Sequence, residues 1–415
     1  MKLSTLSIGD ELICGEVVDT NSCHIAARLY DEVGIRVHRH LTVGDVEDDI
    51  VAALRELAST SDAVIVSGGL GPTTDDLTAA AAARAAGTEL ELSPEALEHL
   101  EQFAQRISGG LHPANRRQAL VPRGSALIPN PLGTACGFIV ELDGAQLFFM
   151  PGVPFEMKRM LEDTVLKRLA GRGNGAGKRI TLKLFGMSEA EVSVTLEGCF
   201  PADSPIELAY CVKFPAINLI LRCKSEHEEL LQRGADQVRE RLGSFIFAEN
   251  DQTMDQVLAS LFRESGRTLA LAESCTGGLI AARITGEAGS SSYFLEGDVT
   301  YSNAAKSRML QVPAELIQSQ GAVSAEVACA MATGVRLAAG SDLALSVTGI
   351  AGPDGGTPDK PVGTVFIALA DAASCQVKRY NFQGDREAVR AITCFTALDW
   401  LRNYLLSLPG ASHRE

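Results

Sequence analysis

Several things are missing from this 415-residue chain, and each absence removes a class of function. No apolar run approaches the roughly 18–20 residues that a membrane span requires. The opening Met1-Lys-Leu-Ser-Thr-Leu-Ser-Ile-Gly-Asp10 turns polar within a handful of residues and lacks a small-residue cleavage site. It therefore reads as a first strand and not as a secretory signal. Positive charge is scarce. Thirty-seven Lys and Arg against 52 Asp and Glu leave a formal charge of −15, which argues against wholesale binding of nucleic acid or of an anionic membrane. The 10 cysteines include no CxxC pair, so neither a zinc site nor a disulfide framework is expected. Most of them read as small buried apolar residues of a cytoplasmic protein. Histidine is absent from the last third except for His413, which removes the commonest general base from any catalytic site there.

Apolar material is plentiful, at 46% against 21% charged residues, and the length exceeds what one core usually supports. Three segments are expected: residues 1–170, 171–249 and 250–415. In the first, Leu3–Ile8 and Ala63–Ser67 are apolar strands, Asn21–Val33, Asp75–Ala86 and Pro94–Ile107 are helical, and Gln146–Met150 is a further strand. Strands alternating with helices imply a mainly parallel sheet covered on both faces. Gly171–Lys178 is composed as a flexible linker. The middle segment pairs strands at Ile180–Phe185 and Ala216–Arg222 with helices at Glu189–Leu196 and Glu226–Leu242, a small α+β module with no chemistry-bearing cluster. The third is again α/β. Its helices are Met254–Glu264, Gly277–Ile284 and Arg386–Leu406, and its strands Thr268–Ala272, Leu343–Val347 and Val362–Ala370.

Chemistry concentrates in the third segment. Leu269–Glu273 is a strand that breaks into Ser274-Cys275-Thr276-Gly277-Gly278 and opens a helix. Such a turn lies at the carboxyl edge of the sheet, where open α/β folds bind ligands. Amides at the helix start can hold an oxyanion or a phosphate, or Ser and Thr simply cap the helix. Tyr301-Ser-Asn-Ala-Ala-Lys306 sets a phenol near an amine. A buried lysine with a lowered pKa can serve as the base that a serine nucleophile needs, although alone Lys306 also reads as a solvated surface residue. Thr348-Gly-Ile-Ala-Gly-Pro353 is a glycine loop after a strand, a phosphate nest or a plain turn. Arg386 and Arg390, one helical turn apart, can grip a phosphate or face solvent.

Taken in order, Glu273–Gly278, Tyr301–Lys306, Gly321-Ala-Val-Ser324 and Thr348–Pro353 resemble the nicotinamide mononucleotide deamidase family, the C-terminal part of the competence/damage-inducible CinA proteins. The resemblance covers the whole third segment. It implies amide hydrolysis without a metal, with Ser274 as nucleophile, Lys306 as general base and Tyr301 as an orienting or relay group. Thr348 completes the catalytic set. Thr276, Gly277, Gly278, Gly349 and Gly352 would position the substrate. Cys275 is the rival nucleophile. The chain departs from the family pattern at Asp298, where a second glycine is usual before Val299.

In the first segment, Gly9-Asp-Glu11, Asp19-Thr-Asn21 and Ser67-Gly-Gly69-Leu-Gly-Pro-Thr-Thr-Asp75-Asp76 follow apolar strands. A glycine loop beside paired carboxylates suits a phosphate bridged by a divalent cation. With Asn130–Thr134 and Pro151–Glu156 these motifs resemble the molybdopterin-binding MoaB/MogA-like domain at the front of CinA proteins, with Cys136 standing where proline is usual. That likeness implies a metal-dependent ADP-ribose pyrophosphatase, with Glu11, Asp19, Asn21, Gly69, Asp75 and Asp76 as metal or phosphate residues. The middle segment occupies the place of the family's KH-like module, but without a Gly-x-x-Gly clamp RNA binding is not expected.

The fold class expected is α/β: two α/β/α sandwich domains with mainly parallel sheets, joined by a small α+β KH-like domain. The family implies a homodimer acting on nicotinamide mononucleotide and ADP-ribose, with no membrane or nucleic-acid partner. The alternative is a non-catalytic molybdopterin-binding or competence accessory protein.

Overall fold

The computed structural model describes residues 1–108, 110–173 and 175–408, and they pack into two compact units. Unit 1 holds residues 1–179 with 222–231, and unit 2 holds residues 180–221 with the chain from residue 232 onward.

In unit 1, β1 (Leu3–Ile8), β2 (Val37–Val43) and β3 (Ala63–Ser67) are followed by a two-stranded ribbon of β4 (Leu90–Leu92) and β5 (Leu120–Pro122). β6 (Ala126–Ile128), β7 (Gly137–Leu142) and β8 (Ala145–Met150) complete the main sheet, in the order β2-β1-β3-β8-β7-β6. The first four of that row run parallel. Every residue of β1 and β3 is buried, as continuous apolar runs between two helical layers require. Helix Thr20–Val33 packs Ile25, Leu29 and Val33 with Leu3, Ile65 and Phe148 on one face. Helix Glu47–Thr60 packs Ile50, Leu54 and Leu57 with Leu6, Val64 and Val66 on the other.

The helix expected at Asp75–Ala86 spans Thr78–Ala85. It starts late because Asp76 turns back on its own loop, accepting from the amides of Gly71 (2.7 Å) and Thr73 (2.8 Å). The glycines near residue 175 do not act as a loose linker either. A Cβ on Gly177 would lie 2.6 Å from the Tyr30 ring, so that glycine allows close backbone approach.

The middle segment forms β9 (Gly177–Leu184), β10 (Glu207–Lys213), β11 (Ala216–Lys224) and β12 (Ile246–Glu249), in the sheet order β10-β11-β9-β12. Its helices are Glu189–Thr195, opened by a Ser188/Glu191 capping box, and Glu228–Leu242.

Unit 2 contains a second large sheet of β13 (Leu269–Glu273), β14 (Phe294–Val299), β15 (Leu343–Gly349), β16 (Thr364–Ala370) and β17 (Cys375–Asn381). The order is β14-β13-β15-β16-β17; β14, β13 and β15 are parallel, and β16 and β17 antiparallel. Helices Met254–Ser265 and Arg386–Ser407 cover one face through Leu258, Phe262, Leu398 and Leu401. Helix Ala325–Ala339 covers the other through Val327, Met331 and Val335.

That packing corrects one expectation. Cys329 on this helix and Cys375 on β17 form a disulfide across a Cα separation of 5.9 Å, though 46 residues apart in sequence. Of the described helices, none is long and apolar enough to cross a membrane.

Candidate active site

The register of unit 2 assembles the C-terminal motifs. Glu273 pairs with Val299 on one side and Val347 on the other, so Ser274, Thr300 and Thr348 all stand one step beyond the same row. The Thr300 amide donates to the Glu273 carbonyl at 2.8 Å, which ties the two turns together. Next to them, Ser302 caps helix Asn303–Leu310 by accepting from the Ala305 amide. Lys306 is in that helix's first turn, and helical side chains lean toward the N-terminus. Its chain thus runs back to the turn it came from. Nζ donates to the carbonyls of Thr300 (2.8 Å) and Tyr301 (3.5 Å) and lies 3.0 Å from Ser274 Oγ.

Lys306 is 1% exposed, and among the described residues no carboxylate pairs with it. Burial holds its pKa below the ordinary lysine value, with Cys275 pulling weakly the other way. In the neutral state, two N–H bonds directed at the carbonyls leave the lone pair for Ser274. Asp298 is half-buried on the edge strand β14, where burial raises its own pKa, and it is not among the causes that move Lys306.

Cys275 is buried, and desolvation is the main reason its thiol is pushed up to about 12. A neutral thiol is a poor nucleophile, so the geometry favours the adjacent serine. Gly349 leaves room for that sulfur: a Cβ there would lie 3.1 Å from Sγ.

Three of the amides at the helix start are already taken. Glu273 is 1% exposed and accepts from Gly278 (3.0 Å), Ile280 (3.2 Å) and Ala281 (2.8 Å). The helix Leu279–Thr285 is therefore capped by its own preceding carboxylate, and Gly277 and Gly278 take left-handed angles to allow it.

Two other expected groups sit differently from a direct contact with the serine. The Tyr301 side chain is 60% exposed, and its hydroxyl accepts from Arg386 Nη2 at 2.8 Å, so only its backbone carbonyl reaches Lys306. Thr348 is buried and donates to the Ala322 carbonyl at 2.8 Å, joining the Gly321–Ser324 motif to the site. Arg386 also donates to the Gly352 carbonyl (2.7 Å), and Arg390 to that of Thr276 (2.7 Å). Both guanidiniums thereby border the serine turn and the 349–353 loop. Thr276 Oγ1 is buried without a partner among the described residues. Lys360, which the sequence did not single out, donates to the carbonyls of Gln320 (3.0 Å) and Val323 (2.7 Å) and pins that loop.

In unit 1 the carboxyl ends of β1, β2, β3 and β8 border a cleft of about 410 Å³. Glu11, Gly69, Asp75 and Asp76 line it, as do Asp45 and Glu156. Asp45 follows β2, and its pKa is raised by burial and by the charges of Asp10, Glu11 and Asp75. Glu156 is raised by burial, against its bond from Asn130.

Asp19 and Asn21 do not line the cleft. Asp19 caps helix Thr20–Val33 and also accepts from Ser7 Oγ at 2.6 Å; burial works against its ionisation, but those bonds lower its pKa overall. Asn21 Nδ2 donates to the Gly152 carbonyl at 2.7 Å. Asp76 is committed to its own loop. Among the described residues, no group of three or more His, Cys, Asp or Glu is placed to hold a metal ion. The expected ligand set therefore does not assemble into a resident metal site.

Comparison with known proteins matches three stretches of the chain. Residues 251–405 match the CinA C-terminal domain, residues 4–171 a family described as "Probable molybdopterin binding domain", and residues 179–248 the "Damage-inducible protein CinA KH domain". A CinA-like protein of Citrifermentans bemidjiense is 68% identical over 407 residues, 98% of each chain. Another, of Geobacter sulfurreducens, is 57% identical over 413 residues, 98% of this chain and 100% of its own. The solved competence damage-inducible protein A (ComA) of Klebsiella pneumoniae is 36% identical, covers 38% of this chain and 99% of its own, and has a TM-score of 0.36.

Proposed function

The chain belongs to the CinA family, and from that premise we propose that it hydrolyses the carboxamide of nicotinamide mononucleotide, giving nicotinate mononucleotide and ammonia. One observation carries this reading: a buried lysine with no carboxylate partner among the described residues, its Nζ 3.0 Å from a serine at the carboxyl edge of the sheet. A non-catalytic binding protein has no use for that pair.

Neutral Lys306 takes the Ser274 proton as Oγ attacks the amide carbon. The tetrahedral intermediate collapses when the lysine ammonium returns the proton to the leaving nitrogen, which departs as ammonia. Water then attacks the ester and passes a proton to Lys306, which hands it to Ser274 Oγ as the acyl–oxygen bond breaks; the acid released ionises, its proton going to solvent. Glu273 holds the turn that carries the nucleophile, through three amides of the following helix. Tyr301 contributes through its carbonyl on Lys306 and through its hydroxyl on Arg386.

Arg386 and Arg390 are the groups for the nucleotide phosphate, a role that suits guanidinium forks beside a glycine loop. A hydrogen bond to a charged group contributes about 1.5–3 kcal/mol. Arg386→Ala is therefore expected to raise KM for nicotinamide mononucleotide roughly ten- to hundredfold, with a much smaller change in kcat. Steady-state ammonia release against substrate concentration checks this; an unchanged KM removes Arg386 from phosphate recognition.

A second reading concerns unit 1. The glycine loop and acidic residues at the strand ends favour a small polar nucleotide in the cleft, and ADP-ribose hydrolysis is the corresponding activity. Among the described residues the donor set does not form a resident metal site. Asp75→Ala is expected to abolish turnover of ADP-ribose while ammonia release persists. The assay is run with and without added magnesium, and turnover unchanged by Asp75→Ala contradicts this reading.

A further inference from the structure

The sheet of unit 2 has a second pole. β13 and β15 run in parallel toward Ser274 and Thr348, so the residues that precede them, Arg267–Thr268 and Ser341–Asp342, lie at the opposite edge. At about 3.3 Å per strand residue the two edges are roughly 20 Å apart. A cavity of about 400 Å³ opens at this far edge, with Arg267, Arg336, Ser341, Asp342, Asp371 and Tyr404 in its wall.

Acceptors and donors in this wall are unequally satisfied. Asp342 accepts from the Thr268 amide and hydroxyl, each at 2.9 Å. Asp371 accepts from the amides of Ala373 (2.8 Å) and Ser374 (2.7 Å) and from the Tyr404 hydroxyl (2.6 Å). Both carboxylates are thus closely engaged by the chain's own groups, while the guanidiniums are held only by long contacts. Arg267 reaches Asp342 only at 3.4 Å, and Arg336 Nη1 meets the Ser341 carbonyl at 3.5 Å. Arg336 Nε is buried with no acceptor among the described residues. A buried charged donor left unpaired is costly, and an acceptor entering the cavity would remove that cost. Two planar donor forks in one wall match an oxyanion with several acceptor oxygens.

We propose that this cavity is a second ligand site of unit 2, in which Arg267 and Arg336 bind phosphate or the phosphate group of a nucleotide, at the opposite edge of the sheet from Ser274. The site is independent of the deamidase reading, because its residues share no bond with Ser274 or Lys306. Asp342 and Asp371 balance the two arginines in charge, so recognition rests on hydrogen bonds to the anion more than on long-range attraction.

The test is a calorimetric titration of the full chain at constant ionic strength, with inorganic phosphate in one arm and a nucleoside monophosphate in the other. Arg336→Gln is expected to weaken binding at least tenfold, and Arg267→Gln to weaken it severalfold. Arg386→Gln, at the serine site, is expected to leave this binding event intact. Equal affinity in the two arms means that the phosphate alone is recognised; tighter binding of the nucleotide means that the Tyr404 side of the cavity is used too. If Arg336→Gln fails to fold, Arg267→Gln decides, because that side chain is half exposed and its replacement leaves the core alone. The serine site can bind a phosphate of its own, so the proposal is overturned by absence of binding in both arms, by isotherms that the Arg267 and Arg336 substitutions leave unchanged, or by binding lost only in Arg386→Gln.

Discussion

Ser274→Ala is expected to abolish ammonia release from nicotinamide mononucleotide, with a loss on the order of 10⁴-fold or more in kcat, as for other serine nucleophiles. The fold should be untouched, since Oγ fills little space and its hydrogen-bond neighbour Lys306 keeps two carbonyls. Cys275→Ala is the informative companion. The thiol is pushed up to about 12 by burial, so at neutral pH it is protonated and its removal should cost only severalfold. Quenched-flow or coupled ammonia assays on both variants decide between adjacent residues. Activity retained in Ser274→Ala and lost in Cys275→Ala would reverse the assignment.

The second large effect is that of Lys306→Met. Loss of the general base is expected to lower kcat by about 10²–10⁴-fold. Stability should move the other way. Burial lowers the pKa of Lys306, so the folded state binds fewer protons than the unfolded chain between the folded pKa and the ordinary lysine value of about 10.4. This contribution to stability is fully present above the unfolded value and is lost as pH falls through the folded one. Below that, the folded protein carries a buried ammonium whose partners among the described residues are two carbonyls and a hydroxyl. Methionine, similar in volume, removes that liability. Its melting temperature near neutral pH should therefore equal or exceed the parent's, and a large fall would mean that the lysine is mainly structural. The same sign governs catalysis. The wild-type kcat/KM should rise with pH and level off above the pKa of Lys306, with a midpoint below that of an ordinary lysine.

What is legible in the sequence, and what is not, follows from the residues. Ala63–Ser67 and Leu3–Ile8 are legible because a strand buried on both faces is a continuous apolar run. The edge strand β2 is not, because Val37-His-Arg-His-Leu-Thr-Val43 is rich in polar residues and none of them is fully buried. Asp45, which rides at its end in the unit 1 cleft, is hidden with it. Ser274 stands out from its place between a strand and a helix. The state of Lys306 does not, because an Ala-Ala-Lys run looks solvated until the Ser302 cap and the register of β14 direct it inward.

The cap on the following helix is hidden for a related reason. A residue at the end of a strand gives no sign that its carboxylate will fold over the next helix, as that of Glu273 does. Acid-rich loops carry a similar ambiguity. Asp19 and Asp76 read as metal ligands, yet each is consumed by backbone amides of its own loop or helix. The Cys329–Cys375 disulfide depends on a helix lying flat across an edge strand, which no local pattern encodes.

The measurement that bears most directly on the buried Ser274–Lys306 pair is ammonia release by the unsubstituted 415-residue chain, offered nicotinamide mononucleotide and free nicotinamide in parallel. The expected result is rapid release from the nucleotide and far slower release from the free base, because Arg386 and Arg390 have no phosphate to hold in the second case. No ammonia from either compound would contradict the deamidase reading and return the protein to a binding role.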